Sequence, residues 1–212
     1  MNVKIIQPAG LGDIIFCLKI GATLVKQGHS VFWPVIPIYS WIKDYLIYDG
    51  IRWEDHPSPD KILDLQSGAK VHPEVPIMDA KYKMAGMGYS DWSDYFTFKR
   101  NAEKEDFLYD NLTQNQPYIL VCNNFASPPG MLMRDIPIET SLKVVFLNYS
   151  NRFTPFDWSK IIENAAELHL VDTCFTYIAE KLTLKANKLA LYSRDGHFYT
   201  DHLWKKPWSY IK

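Results

Sequence analysis

The chain has 212 residues, of which 47% are hydrophobic and 15% aromatic, with a formal net charge of −1 at pH 7 and a sequence pI of about 6.6. This length is long for one domain and short for two full ones, and the apolar content is ample for a packed core. The even balance of charge lacks the basic surplus typical of nucleic-acid-binding proteins, so we expect no nucleic-acid partner.

The cysteines and the N-terminal residues indicate the compartment. Cys17, Cys122 and Cys174 are scattered and form no C-x-x-C pair, so neither a zinc site nor a disulfide framework is indicated. Reduced thiols in the cytoplasm are the plain interpretation. Gln7 and Gly10 interrupt any apolar core of a signal peptide, and no run approaches the length of a membrane span. We therefore expect a cytoplasmic protein, and peripheral contact with a membrane stays open.

The first half of the chain alternates predicted strands and helices. A β-rich run from Val3 to Gln7 leads through a turn into a helix that begins at Asp13 or Ile14 and is capped by Gly28. A strand at 29–35, a helix at 39–48 and strands at 51–53 and 61–66 follow. Residues 67–90, rich in Gly and Pro, are predicted to be irregular, as an ordinary connection or a functional loop. Residues 101–112 have the pattern of an amphipathic helix.

A polar break at 113–117 separates two predicted domains, 1–115 and 116–212. The same alternation then restarts. Strands are predicted at 118–122, 143–147, 168–171 and 189–192, helices at 156–166 and 173–182, a Pro/Gly loop at 123–137 and a short closing helix at 205–212. This order predicts an α/β fold of two Rossmann-like parallel-sheet domains facing a cleft.

The turn before the first predicted helix carries the first candidate site. Gly10 and Gly12 let the backbone turn tightly and keep side chains out of the way. The helix directs free N–H groups and the positive end of its dipole into that space, which suits a phosphate or a developing negative charge. Asp13 stands at the mouth of this site. Its carboxylate is either a helix cap or a catalytic base.

The run Gly10-Leu11-Gly12-Asp13, followed by an apolar helix, resembles the heptosyltransferase-like glycosyltransferases of family 9. The resemblance implies the two-domain GT-B fold and a role for Asp13 as the base that activates the acceptor. It also implies that a nucleotide sugar is the co-substrate, that a glycan or glycolipid is the acceptor, and that no cofactor or metal is needed. The chain is much shorter than is usual for the family, which is consistent with the loss of acceptor-binding helices.

A second constellation follows the predicted strand at 168–171. Asp172 or Thr173 caps the next helix at the edge of the sheet where ligands bind in open α/β folds, although a plain strand–cap–helix junction has the same pattern. The family has D-[ST]-G-x-x-H-x-A here and uses it to hold the diphosphate and sugar of the donor. Asp172 and Thr173 match, whereas Cys174 replaces the glycine and Tyr177 replaces the histidine, with Thr176 between them. A larger side chain at the glycine position narrows the approach of the phosphate.

Weaker matches lie after the predicted strand at 118–122. The family has a small polar loop and then a basic residue, and this chain has Asn123 and Asn124 followed by Arg134. A guanidinium there could neutralise a departing diphosphate without metal, although an exposed loop arginine is more often solvated. Asn148 and Tyr149 lie where a base or ribose could be recognised.

The resemblance implies transfer of a sugar from a nucleotide-diphosphate donor to a hydroxyl, with Asp13 as general base. No aspartate is followed by another two positions on, so the Asp-x-Asp signature of the metal-dependent transferases is missing. A dinucleotide-dependent oxidoreductase is disfavoured because Ile15 stands where G-x-G-x-x-G requires a small residue. The alternative from another class is a non-catalytic nucleotide- or sugar-binding protein of the same fold, which the changes at Cys174 and Tyr177 favour.

Overall fold

Two parallel β-sheets organise the chain in the computed structural model, which describes residues 1–127, 130–148 and 152–212. The chain divides into two compact units, Met1–Lys99 and Arg100–Lys212. The first unit holds a four-stranded sheet and the second a five-stranded sheet, and every strand pair within these two sheets is parallel. The α/β class with two parallel-sheet domains is therefore confirmed.

The first sheet has the strand order β3-β2-β1-β4. Its strands are β1 Asn2–Ile6, β2 Ser30–Phe32, β3 Ile51–Arg52 and β4 Lys61–Asp64. The helices of this unit are α1 Leu11–Lys26, α2 Ile42–Tyr45, α3 Gly68–Val71 and α4 Ile77–Ala85, with 3-10 turns at Pro37–Tyr39 and Trp92–Tyr95. Strands β2 and β3 follow on one side of β1, whereas β4 lies on its other side. The direction of winding therefore reverses between β1 and β4. In open α/β sheets, ligands bind at such a point of reversal.

Residues 67–90, predicted to be irregular, contain the helices α3 and α4. The prediction relied on the Pro and Gly residues, but these residues bound the helices rather than break them. Pro76 immediately precedes α4, and Gly86 ends it with a φ of 67°. The helix predicted at 39–48 is shorter than expected and covers only Ile42–Tyr45.

The second sheet has the strand order β11-β10-β9-β5-β8. Its strands are β5 Tyr118–Cys122, β8 Lys143–Phe146, β9 Glu167–Val171, β10 Lys188–Tyr192 and β11 Ser209–Ile211, and a separate pair is formed by β6 Asn124–Ser127 and β7 Gly130–Met133. The helices are α5 Ala102–Thr113, α6 Ser159–Asn164 and α7 Cys174–Lys181, with 3-10 turns at Pro155–Trp158 and Asp201–Leu203. Here the winding reverses between β5 and β9.

Helix α5 belongs to the second compact unit, whereas the polar break in the sequence predicted a boundary after it, at 115/116. Ionic contacts explain the difference. The Arg100 guanidinium lies 2.9 Å from Glu163 of α6 and also binds Glu105 of α5. Lys160 of α6 donates to Asp106 of α5 at 2.6 Å. These contacts join the N-terminal part of α5 to α6, so α5 packs on α6.

Two predictions of secondary structure are corrected in the second unit. The Pro/Gly loop at 123–137 contains the antiparallel hairpin β6–β7, which connects the parallel neighbours β5 and β8 where a crossover helix is usual. Phe125 of β6 is buried against Val171 and Tyr192, and this burial fixes the hairpin on the sheet. The closing helix predicted at 205–212 is instead the edge strand β11, paired with β10.

Helix α1 begins at Leu11, two or three residues earlier than predicted, with Gly10 as the N-cap. Asp13 is thus the third helical residue, in the first turn of α1 rather than at its N-cap. Gly10 has a φ of 77°, and a Cβ on it would lie only 2.5 Å from Asp13 Oδ2. The glycine therefore provides both the backbone conformation and the space in which the Asp13 carboxylate lies.

The substitution Gly10→Ala tests this close approach. Gly28 is a matched control, because it has a φ of 83° and a Cβ added to it would meet no atom within 4 Å. Both alanines adopt a left-handed conformation at a cost of about 1–2 kcal/mol. Only Gly10→Ala must also displace the Asp13 carboxylate, so we expect it to lower the free energy of unfolding by roughly 1 kcal/mol more than Gly28→Ala. Urea denaturation measures the difference, and equal losses would contradict this account of Gly10.

Candidate active site

The Asp13 carboxylate is paired with a buried lysine. Asp13 Oδ1 lies 3.1 Å from Lys81 Nζ, and the side chains are 33% and 4% exposed, respectively. Lys81 Nζ also donates to Gln7 Oε1 at 2.6 Å and to the Leu65 carbonyl oxygen at 3.4 Å. A buried ammonium needs such oxygen partners. The cation is therefore enclosed by protein while part of the carboxylate stays open to solvent.

This ion pair lies at the point where the first sheet reverses its winding. Gln7 directly follows β1, and Leu65 directly follows β4. The carboxyl ends of these neighbouring strands converge on Lys81 Nζ, beside the first turn of α1. This edge of the sheet is the usual ligand site of open α/β folds.

Gln7 is held so that its oxygen faces the lysine. Its side-chain Nε2 donates to the Ala9 carbonyl at 2.6 Å, which leaves Oε1 for Lys81. The buried indole of Trp33 donates to the Gln7 carbonyl at 3.0 Å and fixes the backbone there. Gln7 itself is 5% exposed. The amide is therefore a fixed hydrogen-bond acceptor rather than a mobile surface group.

The role of Lys81 was missed at the level of sequence, because the residue falls in the segment predicted to be irregular. The available signal was the spacing of Met78, Lys81 and Tyr82, which share one face of a helix and are all buried in α4. A lysine on the apolar face of an amphipathic helix is rarely buried without a partner. Such a residue is a candidate for a functional ion pair.

Cys17 lies one turn after Asp13 on α1 and is completely buried. Burial raises the pKa of its thiol far above the usual range, the positive charge of Lys81 opposes this shift, and the negative charge of Asp13 adds to it. The thiol is therefore a neutral core group at physiological pH. It is unsuited to act as a nucleophile beside Asp13.

In the second unit, Thr173 caps helix α7, one of the two caps that the sequence allowed. Its side-chain oxygen accepts from Phe175 N at 3.4 Å, and its carbonyl accepts from Thr176 N at 3.0 Å. Cys174 is the first helical residue and is half-buried. Thr173 and Cys174 follow β9 at its junction with β5, where the second sheet reverses its winding.

Cys122 ends β5 at this same junction. Its Sγ lies 3.7 Å from the Asn124 carbonyl oxygen. Burial raises the pKa of the Cys122 thiol to about 12; the charge of Cys174 adds to the shift, and hydrogen bonds with Thr173 and Asn124 oppose it. The end of β5 and the start of α7 thus lie side by side, which brings Asn124, Thr173 and Cys174 together.

Asp172 forms hydrogen bonds within the second unit through both its side chain and its carbonyl group. Its Oδ2 accepts from the Thr200 hydroxyl, and its carbonyl accepts from Arg194 Nε at 2.6 Å. Burial raises the pKa of the Asp172 carboxyl, while the Thr200 hydrogen bond and the Arg194 charge lower it and the Asp201 charge raises it further. The carboxylate therefore anchors the segment that follows β10.

Two arginines lie near the carboxyl ends of β5, β9 and β10. Arg134 N donates to the Asn123 carbonyl at 2.9 Å. The Nε of Arg134 is buried and has no hydrogen-bond partner among the described residues. The Arg194 guanidinium lies 5.9 Å from the centre of the Phe125 ring. The sequence analysis singled out Arg134 but not Arg194. The available signal was that Arg194 lies two residues after strand β10, just as Thr173 lies two residues after β9.

The remaining predicted residues of the second unit have different environments. Thr176 is fully buried, and its Oγ1 has no partner within the described part of the chain. Tyr177 is buried and packs edge-on against Trp204, with ring centroids 4.7 Å apart. Asn148 lies two residues after β8, and Tyr149 lies outside the described residues. Helix α7 therefore turns Tyr177 into the core, away from the surface that a ligand could reach.

No three His, Cys, Asp or Glu side chains of residues 1–127, 130–148 and 152–212 are grouped so that they could hold a metal ion. Within the same ranges, no helix combines the length and the apolar character that a membrane crossing requires.

The buried position of Asp172 predicts a pH dependence of stability. The pKa of Asp172 is higher in the folded than in the unfolded state, so folding favours the protonated carboxyl. The protonated group therefore contributes to the free energy of unfolding below about pH 3.9, and this stabilisation is lost as the pH rises through the folded-state pKa. Asp172→Asn keeps an oxygen acceptor for Thr200 and carries no charge. We expect its stability relative to the wild type to increase as the pH rises above about 4.

Urea denaturation at a series of pH values measures this difference. Asp49→Asn, at an exposed position, is the control and should show no such trend. A relative stability of Asp172→Asn that is constant or falls with rising pH would refute the assignment.

The fold has counterparts among solved structures. A family 9 glycosyl transferase from Veillonella parvula DSM 2008 matches with a TM-score of 0.59 and 10% identity, over 99% of this chain and 86% of its own. The iron-containing dodecameric glycosyltransferase TibC from enterotoxigenic E. coli H10407 matches with a TM-score of 0.56 and 8% identity, over 99% and 61%. The ADP-heptose lps heptosyltransferase II of E. coli matches with a TM-score of 0.50 and 9% identity, over 100% and 90%.

No protein-family model and no curated protein sequence matches the chain. At identities of 8–10%, the structural matches show a common fold alone. They extend over nearly the whole chain and so include both parallel sheets. The chain therefore has the fold of the family 9 glycosyltransferase and heptosyltransferase structures, as the resemblance in its sequence implied.

Proposed function

We propose that this protein is a glycosyltransferase that moves a sugar from a nucleotide-diphosphate donor to a hydroxyl group of a glycan or glycolipid. One observation carries the proposal. A partly exposed carboxylate, Asp13, is held against a buried cation at the ligand edge of the first sheet. The likeness in fold to glycosyltransferases supports this interpretation over other uses of such a carboxylate.

Asp13 is the general base in this proposal. It takes the proton of the acceptor hydroxyl as that oxygen attacks the anomeric carbon of the donor. The new glycosidic bond forms while the bond between the anomeric carbon and the diphosphate oxygen breaks, and the nucleoside diphosphate leaves with the electron pair. A carboxylate that is 33% exposed can be reached by an acceptor, whereas the Cys17 thiol cannot.

The residues around the start of α7 bind the donor in this proposal. The N-terminus of α7 at Thr173 and Cys174 offers a positive dipole end. Arg134 and Arg194 add two guanidinium groups near the same edge of the sheet, which can neutralise the charge that develops on the leaving diphosphate. Asn123 and Asn124 supply polar groups beside them, and no metal is required.

We further propose that the protein works in the cytoplasm, with peripheral contact to a membrane when the acceptor is a glycolipid. One of the structural matches supports the choice of acceptor, since it is an ADP-heptose lps heptosyltransferase. A ligand screen identifies the sugar and the nucleobase of the donor.

A thermal-shift screen with nucleotide sugars, carried out in EDTA, tests donor binding. A ligand at about one hundred times its dissociation constant adds roughly 2.7 kcal/mol to the free energy of unfolding. We expect one family of nucleotide-diphosphate sugars to raise the melting temperature, and EDTA to leave that increase unchanged. The absence of any increase, or an increase with dinucleotides only, would refute the proposal.

The variant Asp13→Asn separates catalysis from binding. Asparagine keeps the shape of the side chain but cannot accept the acceptor proton, so we expect kcat to fall by about 100- to 10,000-fold. The donor-induced thermal shift should stay as in the wild type, because Asp13 belongs to the acceptor side. Full activity in this variant would exclude Asp13 as the base.

A non-catalytic binding protein of the same fold is the second candidate. The observation that favours it is the core position of Tyr177 against Trp204, which removes the residue at the family's histidine position from the surface. Donor binding without any detectable transfer in the wild-type protein would support this alternative.

A further inference from the structure

Lys81 has an unusual position for a lysine. Its side chain is 4% exposed and its ammonium contacts three oxygens, on Asp13, Gln7 and Leu65. Lysine is almost never this deeply buried unless it is paired. An apolar side chain of similar volume often serves a core as well as a buried ion pair or better. The fold alone therefore does not explain why an ammonium group stands here.

Helix α4 is docked on α1 so that the ammonium is directed to one carboxylate. Next to Lys81, the hydroxyl of Tyr82 donates to the Phe16 carbonyl at 2.7 Å. Gly68 of α3 permits the close approach behind the lysine, since a Cβ there would lie 3.3 Å from Lys81 N. Two consecutive residues of α4 thus contact α1 within one turn, which leaves the ammonium little freedom.

The two oxygens of Asp13 have different surroundings. Oδ1 faces Lys81 at 3.1 Å, whereas Oδ2 lies above Gly10, where a Cβ would be 2.5 Å away. No hydrogen bond from another described residue reaches Oδ2. The lysine therefore fixes one oxygen and leaves the other available to a hydroxyl group.

We infer that Lys81 is the positioning residue of the Asp13 base: it holds the carboxylate by one oxygen, with Gln7 and the Leu65 carbonyl fixing the ammonium in turn. The inference rests on the proposed glycosyl transfer and adds a residue to it. The lysine exchanges no proton in the reaction. It reduces the number of orientations that the carboxylate can adopt, and such restriction is a general source of catalytic rate.

The variant Lys81→Met tests this inference, because methionine keeps most of the apolar stem and removes the charge. We expect kcat to fall by about 10- to 100-fold, while the KM for the donor and the donor-induced thermal shift stay unchanged. Lys83→Met is the matched control. Lys83 lies on the same helix, is exposed and pairs with Glu74 at 2.5 Å on the surface, so its loss should leave kcat unchanged.

A double-mutant cycle distinguishes positioning from a general effect on the fold. In the Asp13→Asn background no base remains to be positioned, so adding Lys81→Met should change the residual kcat by less than about twofold. A merely structural lysine would lower activity by the same factor in both backgrounds. Each kcat is normalised to the concentration of donor-binding sites, so that loss of folded protein does not count as loss of rate.

Lys81→Gln is the second variant, used if Lys81→Met does not fold. It keeps a hydrogen-bond donor toward Leu65 and loses the charge, and the same cycle applies. An unchanged kcat in a folded Lys81 variant, in an enzyme that Asp13→Asn inactivates, would overturn the inference and leave the proposed function intact. Absence of transfer by the wild-type protein would overturn both.

Discussion

A buried ammonium group must be surrounded by oxygen atoms, and this requirement shapes the first unit of the protein. Lys81 finds its partners at the ends of β1 and β4 and in the first turn of α1. The ends of β1 and β4, the start of α1 and helix α4 thus meet at the Nζ atom of Lys81. Gly10, which has no Cβ, gives the carboxylate room to join them. Because an unpaired charge would be costly in this interior, each of these elements restrains the others.

Each unit places its chemistry where its own sheet reverses the direction of winding. In the first unit the ends of β1 and β4 hold an ion pair. In the second unit the ends of β5 and β9 hold the capped start of α7, with a polar segment and arginines nearby. The first site has a carboxylate suited to accepting a proton. The second has cationic and dipolar groups suited to an anion. The proposed transfer from a diphosphate donor would use the first site as base and the second to bind the leaving group.

Much of this arrangement could be predicted from the sequence, because strands and caps have local signatures. The apolar runs at 118–122 and 168–171 are strands, and Thr173 caps α7. Predictions failed where tertiary contacts decided the outcome. The hairpin after β5 depends on the burial of Phe125, and β11 depends on an available edge of β10. The contact of Arg100 with the distant Glu163, which joins α5 to the second compact unit, likewise has no local signature. The environment of Lys81 depends on residues 74 positions apart, which no local pattern reveals.

The three cysteines lie in very different surroundings, and this contrast has a practical consequence. Cys17 and Cys122 are enclosed in the cores of their units, and burial raises the pKa of each thiol. Cys174 alone is partly accessible, at the first residue of α7. A soft electrophile offered to the native protein therefore meets one site for alkylation. A fluorophore attached there would sit beside the proposed diphosphate site, so the wild-type chain carries its own attachment point for a spectroscopic reporter of ligand occupancy.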